Sequence, residues 1–150
     1  MGTKYREVKK TLKGIGSLDY VEVRNVPMRI YETHGEVVHS KVLGELEKMV
    51  AREIISRRLP LRGYEVQFFR QIFALSQRAL AEQLGLSHVA ILKWERAKGK
   101  RLDKVNEVAF KALMAGMLNM NISASIDALY GPDQETSRLL LDFSAAQKVA

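Results

Sequence analysis

The segment from residue 75 to residue 96 constrains this chain more than any other stretch, because it contains two helix starts and one helix end. Ser76 and Ser87 each precede a run with helical periodicity, so each hydroxyl can accept a hydrogen bond from an unpaired N–H of the first turn. Gly85 follows the first run, where a helix that ends in the left-handed conformation favours a residue without Cβ. The apolar residues of each run share one face: Leu80, Ala81, Leu84, Ile91 and Trp94. The pattern predicts two short helices joined by a tight turn, a helix-turn-helix.

The same segment is similar to a known family. Its signature positions resemble the Xre/Cro-type helix-turn-helix regulators, and they read Leu75-Ser76-Gln77, Leu80-Ala81, Leu84-Gly85-Leu86-Ser87, Ile91 and Trp94-Glu95. The resemblance implies a lambda-repressor-like domain of five helices that reads duplex DNA. It also implies an ion pair between Arg70 in the first helix of that domain and Glu95 in the recognition helix. The alternative is an ordinary helical hairpin inside another kind of helical domain.

Charge is concentrated around this segment. The chain has a net charge of +7, and residues 61–101 carry eight Lys and Arg against three Asp and Glu. Residues 102–150 carry four against six. A local basic excess is typical of a surface that faces a polyanion, although a basic composition also occurs in proteins that bind no nucleic acid.

Composition excludes several other classes. No cysteine is present, which excludes disulfides and thiolate metal sites. No apolar stretch approaches the ~18 residues of a membrane span, and the basic N-terminus lacks the apolar core of a signal peptide. We therefore expect a cytoplasmic protein without a membrane segment.

Residues 1–60 predict a small unit with β structure and one helix. Residues 1–16 are basic and favour a frayed tail over a nucleic-acid-binding arm. From Leu18 to Tyr31, apolar and polar residues alternate on both sides of Asn25-Val26-Pro27, which predicts a β-hairpin or meander with a turn there. Residues 36–39 fit a third short strand. An amphipathic helix is predicted from about Ser40 to Arg58, and Pro60 ends it.

The order of these elements adds a second resemblance. A hairpin, a helix and then Leu61-x-Gly63 at the start of an Xre-type domain look like the MqsA/YgiT-type antitoxin-regulators. The resemblance implies that the N-terminal unit mediates dimerisation or binds a partner such as a toxin. That family holds zinc through cysteines, and residues 31–36, where a cysteine pair would lie, contain none. His34 and His39 alone do not complete a four-ligand set, so we expect neither a metal nor another cofactor.

The remaining helices follow from their start and stop signals. The first helix of the DNA-binding domain, residues 61–131, should span about Gly63 to Ala74. Asp103 should cap a long helix with apolar residues at helical spacing: Val105, Val108, Ala109, Leu113, Met117 and Leu118. The part from Val105 to Leu113 should close the helical core, and the methionine-rich part beyond it is a candidate dimer contact. Ser123 should cap a short helix from Ala124 to Tyr130. In the C-terminal extension, residues 132–150, the run 138–143 is either a strand or a helix end. As a strand, it would complete the N-terminal sheet or pair across a dimer. The whole is a mainly α chain with a small β portion, an α+β fold.

Contacts with DNA divide into those that read base edges and those that hold the phosphate backbone. Base reading is expected from the first turn of the recognition helix and its next exposed turn, which contain Ser87, His88, Val89, Ala90 and Lys93. Phosphate contacts are expected from the start of the preceding helix and, by the resemblance, from the basic loop after the recognition helix: Gln77, Arg78, Arg96, Lys98, Lys100 and Arg101. Each of these side chains could alternatively be exposed without a contact.

Two functions fit these features. The first is a transcriptional regulator, a repressor, that binds a palindromic operator on double-stranded DNA as a homodimer, because one recognition helix reads too few base pairs for a unique site. The alternative is an antitoxin that neutralises a toxin protein and autoregulates its operon through the same helices. An enzyme is not expected, since no cysteine nucleophile, glycine-rich phosphate loop or serine beside a base is recognisable.

Overall fold

The structure, a computed structural model, describes residues 4–123, 125–134 and 138–144. Within these ranges the fold is α+β, with six helices and one four-stranded sheet. The elements in chain order are β1 (Tyr5–Ile15), β2 (Leu18–Tyr31), β3 (Gly35–Val37), α1 (Ser40–Ser56), α2 (Gly63–Ile72), α3 (Gln77–Leu84), α4 (His88–Arg96), α5 (Lys104–Met117), α6 (Ile126–Leu129) and β4 (Leu139–Asp142).

Strand β2 is the centre of the sheet. β1 pairs with it in antiparallel orientation along almost its whole length. On the other side, β3 pairs antiparallel with residues 29–31, and β4 pairs parallel with residues 21–24. Within the run 138–143, residues 139–142 therefore form a strand, and this strand completes the N-terminal sheet.

The prediction of a frayed tail before residue 17 was wrong for the residues that the structure describes. Residues 5–15 form β1, whose Val8 and Leu12 are partly buried against the core while the residues between them are exposed. Lys10 interrupts the apolar alternation, so the strand pattern was hidden in the sequence. Pairing with β2, a contact between distant parts of the chain, stabilises the strand.

The predicted turn at residues 25–27 is instead a bulge inside one continuous strand. Asn25 has a left-handed φ of 60°, which asparagine tolerates better than most residues. The register with β1 shifts at this point, so that β2 contains one extra residue between Val23 and Val26 and both of them are buried. Pro27 lies between the parts of β2 that pair with β4 and β3, where its missing N–H interrupts neither ladder.

One hydrophobic core joins the sheet to the helices. It combines Val23 and Leu139 of the sheet with Leu46 of α1 and the edge-to-face rings of Phe68, Phe69 and Phe110. At the β1–β2 turn, the Ser17 hydroxyl donates a hydrogen bond to the backbone carbonyl of Tyr64 over 2.9 Å. The sheet thus packs directly on the start of α2.

The prediction for α5 is confirmed in part. Val108 and Leu113 are partly buried against the core and Leu118 is buried, whereas Val105 is 79% exposed and Ala109 and Met117 are exposed. The helix also buries Glu107, Phe110, Lys111, Met114 and Ala115. Asp103 is the N-cap residue of α5, but its side chain makes no capping hydrogen bond. The last short helix begins at Ile126 behind Ser125, whose hydroxyl accepts from the N–H of Ala128, and not behind Ser123; residue 124 lies outside the described residues.

Candidate nucleic-acid interface

The helix-turn-helix is formed by α3, a short turn and α4. The Ser76 hydroxyl accepts from the N–H of Ala79 over 3.0 Å, and the Ser87 hydroxyl accepts from the N–H of Ala90 over 3.4 Å. Gly85 ends α3 in the left-handed conformation with φ of 69°. Each of the three residues that mark helix ends in the sequence therefore has the predicted role, because the chemistry of a helix end is local.

Helix α4 has one buried and one exposed face. Ile91 is fully buried and Trp94 is partly buried against the core. On the other side Val89, Lys93 and Arg96 are exposed, at positions i, i+4 and i+7 of the helix. Of the other predicted base readers, Ser87 is exposed, and His88 and Ala90 are half-buried at the start of the helix.

An ion pair holds α4 against α2. The Arg70 guanidinium donates two hydrogen bonds to the Glu95 carboxylate, over 2.9 Å and 2.8 Å, and a third to the carbonyl of Leu75. The pKa of Arg70 is raised, chiefly by its hydrogen bond to Glu95. The ion pair that the resemblance implied is present, and its fork geometry fixes the orientation of α4.

Gly63 allows the start of α2 to approach the end of α4. A Cβ at this position would lie 2.2 Å from the carbonyl oxygen of Trp94 and 2.8 Å from the backbone nitrogen of Lys98. The next N–H, that of Tyr64, donates to the carbonyl of Lys98 over 3.1 Å. Helix α4 is thus positioned at its C-terminal end by a backbone contact that requires glycine at residue 63.

The loop after α4 exposes basic side chains beside this contact. Lys98 adopts a left-handed φ of 45°, and both Lys98 and Lys100 are exposed. Arg78, in the first turn of α3, is exposed as well, and its neighbour Gln77 is half-buried. Five of the six predicted phosphate contacts therefore keep accessible side chains: Gln77, Arg78, Arg96, Lys98 and Lys100.

Arg101 differs from the other five, and we remove it from the predicted phosphate contacts. Its side chain is only 11% exposed and donates two hydrogen bonds to Glu107, over 2.8 Å and 2.9 Å. It also donates to the carbonyl of Gly131 and lies 4.0 Å from the ring centroid of Tyr130. A guanidinium with these partners is part of the protein interior.

Glu107 and Lys111 form a buried network that sequence reasoning missed. Both side chains are fully buried, and their salt bridge measures 3.1 Å. Lys111 also donates to the carbonyls of Leu59 and Leu129, and Glu107 accepts from the N–H of Leu61. Burial would raise the pKa of Glu107, but the bonds from Arg101 and Leu61 and the charge of Lys111 lower it. The i, i+4 spacing of the two charges around Phe110 is the sequence signal that could have indicated the pair.

Glu65 is a second buried acid, located at the junction of α2 with the sheet. It is 1% exposed, and within the described residues its Oε2 atom has no hydrogen-bond partner. Its carboxylate lies near the backbone N–H groups of Arg62 and of Glu65 itself and near Tyr20 of β2. Burial raises the pKa of Glu65 to about 7, and the charge of Arg62 offsets only part of this effect.

This pKa predicts that acidification stabilises the fold. Folded Glu65 keeps its proton up to about pH 7, whereas the unfolded chain releases it near 4.5. Its contribution to stability is therefore complete below pH 4.5 and is lost as the pH rises to about 7. Between about pH 5 and about pH 8, the free energy of unfolding of the wild type should fall as Glu65 ionises. In Glu65→Gln, which has no carboxyl at this position, the fall should be smaller by about 1–3 kcal/mol. Urea unfolding at both values measures this, and equal pH dependence of the two proteins would contradict it.

His34 and His39 have local partners. His39 Nδ1 accepts from the backbone N–H of Lys41 as the cap of α1, and the His34 ring lies 6.2 Å from that of Tyr31. Over residues 4–123, 125–134 and 138–144, no three His, Asp or Glu side chains are grouped so as to hold a metal ion. None of the described helices is both long and apolar enough to cross a membrane.

Comparison of the chain with protein-family models, with curated proteins and with solved structures found no match.

Proposed function

We propose that this chain is a sequence-specific DNA-binding transcriptional regulator, a repressor that binds a palindromic operator as a homodimer. In this proposal α2 to α6 are the five helices of a lambda-repressor-like domain, and α4 is the recognition helix in the major groove. The protein acts by occupying DNA and not by catalysis.

The observation that supports it best is the exposed face of α4. Its inner face packs on α2 and α3, and its outer face presents Val89, Lys93 and Arg96. A short helix with one face fixed and the other both accessible and basic fits the width of a major groove. The Arg70–Glu95 ion pair keeps this face rigid, as base reading requires.

The exposed residues divide into two roles. Lys93 can donate to guanine O6 and N7, and Val89 can contact a thymine methyl, with Ser87, His88 and Ala90 around them. Lys98 and Lys100 hold phosphates from the loop, together with Arg96. Gln77 and Arg78 do the same from the N-terminus of α3, where free N–H groups point outward.

We assign the dimer contact to the solvent-facing side of α5. Val105, Ala109 and Gly116 are exposed, with Ala112 half-buried between them. These residues are apolar or small and lie opposite the buried face of Glu107, Phe110 and Met114. An apolar helix face of this kind gains stability when a second copy covers it.

The test of the proposal is to sequence the fragments that the purified full-length protein retains from a random duplex library. A two-fold symmetric site with half-sites one helical turn apart, or a multiple of it, is the expected result. Retention without any enriched sequence, or no retention at low ionic strength, would refute sequence-specific regulation.

Lys93→Ala separates base reading from phosphate binding. We expect it to weaken binding to the enriched site by about 1–3 kcal/mol and to leave binding to unrelated duplex almost unchanged, because a base contact exists only on the correct sequence. Lys98→Ala is the matched control and should weaken both by the same factor. Titration of both duplexes by fluorescence anisotropy measures the two ratios. Equal losses for Lys93→Ala would make Lys93 a phosphate contact.

A further inference from the structure

The exposed cations of β1 are not used by the function proposed above. Residues 4–15 contain five Lys and Arg and a single acid, Glu7. Lys10 is paired with Glu36, and Glu7 stands opposite Arg29 in the register of the two strands. Within the described part of the chain the other four cations have no ion-pair partner and are exposed: Lys4, Arg6, Lys9 and Lys13.

Lys9 and Lys13 project from the same side of β1. Val8 and Leu12 turn toward the core, so the odd-numbered residues between and beside them turn away from it. The two lysines are four residues apart, so at a rise of about 3.3 Å per residue their side chains leave the strand about 13 Å from each other. Pairing with β2 fixes the position of the strand. A spacing of this length runs along several phosphates of one DNA strand.

Two hydrogen bonds connect this strand to the phosphate loop of the DNA-binding unit. Ser17, in the turn that ends β1, donates to the carbonyl of Tyr64 over 2.9 Å. The N–H of the same Tyr64 donates to the carbonyl of Lys98 over 3.1 Å. Tyr64 of α2 therefore joins the turn after β1 to the basic loop that contains Lys98 and Lys100, and Lys13 precedes Ser17 of this turn by four residues.

We propose that β1 is a second phosphate-contacting surface, which extends the interface from the Lys98–Lys100 loop along the edge of the sheet through Lys13 and Lys9. This inference rests on the proposed function, because it assumes that the loop beside α4 lies on duplex DNA. The added contacts are independent of base sequence and lengthen the footprint beyond the recognition helix.

A partner that adds a strand to the edge of β1 fits the structure less well. The register between β1 and β2 shifts twice, at Lys10/Leu12 and at Lys13/Ile15, and lysines on an edge strand disfavour pairing with another backbone. Besides Lys10, which is paired with Glu36, β1 has three exposed cations without an ion-pair partner among the described residues: Arg6, Lys9 and Lys13. The side chains, and not the strand edge, are therefore the binding groups.

The experiment compares full-length Lys9→Gln/Lys13→Gln with Lys41→Gln/Lys48→Gln, which removes two exposed lysines from α1 and has the same net charge. Binding constants are measured at several salt concentrations for the enriched operator and for an unrelated duplex, with circular dichroism to verify folding. Loss of two phosphate contacts should reduce the slope of log K against log salt by about 2, on both duplexes, and preserve the preference for the operator. The α1 variant should keep the wild-type slope.

Each other outcome is informative about a specific step. If the wild type prefers its operator and the β1 variant keeps the full slope, or if both variants lose slope equally, β1 is not part of the interface. If the β1 variant loses slope but Lys93→Ala changes nothing on either duplex, the β1 contact stands and the recognition helix does not read bases. Tighter binding of polyglutamate than of duplex DNA through Lys9 and Lys13 would overturn the inference in favour of an acidic protein partner.

Discussion

Glu107→Ala is expected to lower the free energy of unfolding by about 3–5 kcal/mol, the loss typical of a buried charge that loses its partner. Glu107 is fully buried and accepts hydrogen bonds from Arg101, Lys111 and the N–H of Leu61. Its removal leaves the Lys111 ammonium in the interior with the backbone carbonyls of Leu59 and Leu129 as its acceptors among the described residues. Urea unfolding of the variant and the wild type at neutral pH measures the difference.

Two further variants test the cause of this loss. Glu45→Ala removes an exposed acid from α1 and should change stability by no more than about 0.5 kcal/mol. Glu107→Leu combined with Lys111→Met replaces the pair by apolar side chains and should recover part of the loss, because no charge then remains unpaired at these two positions. A loss below about 1 kcal/mol for Glu107→Ala would show that water enters and solvates Lys111.

The same network explains why Arg101 could not be assigned from the sequence. Because it follows Lys98 and Lys100 in the sequence, Arg101 was predicted to be a phosphate contact of the same loop. In the fold the backbone of Arg101 pairs with that of Arg62 in a single antiparallel β-bridge. Its guanidinium donates a hydrogen bond to Glu107, six residues later in α5. Periodicity describes one element at a time, and it cannot indicate that a neighbouring helix supplies a buried carboxylate.

The turns and caps of the helix-turn-helix were predictable for the opposite reason. Ser76, Gly85 and Ser87 satisfy their own backbone within three residues, so the local sequence determines the helix ends. The strand β1 depends on β2, and the face of α5 depends on a buried ion pair. These features require tertiary contacts. The apolar pattern alone predicted a tail in place of β1, and in α5 it correctly indicated Val108, Leu113 and Leu118 but missed the buried charges.

Gly63→Ala is expected to destabilise the protein by about 3 kcal/mol or more, at the upper end of the range for an overpacked interior. The added methyl would lie 2.2 Å from the carbonyl oxygen of Trp94 and within 3.0 Å of two backbone atoms of Lys98. These neighbours are backbone atoms, so no side chain can rotate to make room. Helix α2 must therefore separate from the end of α4, which weakens the Tyr64–Lys98 hydrogen bond at the same contact. Urea unfolding gives the loss of stability, and amide hydrogen exchange of Tyr64 gives the local opening.

Gly44→Ala provides the matched control, because it lies inside α1 with no atom within 4 Å of an added Cβ. Alanine there should stabilise the protein by about 0.5–1 kcal/mol through its higher helix propensity. If α4 is the DNA-reading helix, Gly63→Ala should also reduce operator binding under conditions where the variant is still folded, since the exposed face of α4 moves relative to α3. Stability equal to that of the wild type would contradict the close approach of the two helices, whereas reduced stability with unchanged operator affinity would show that α4 keeps its position and α2 moves instead.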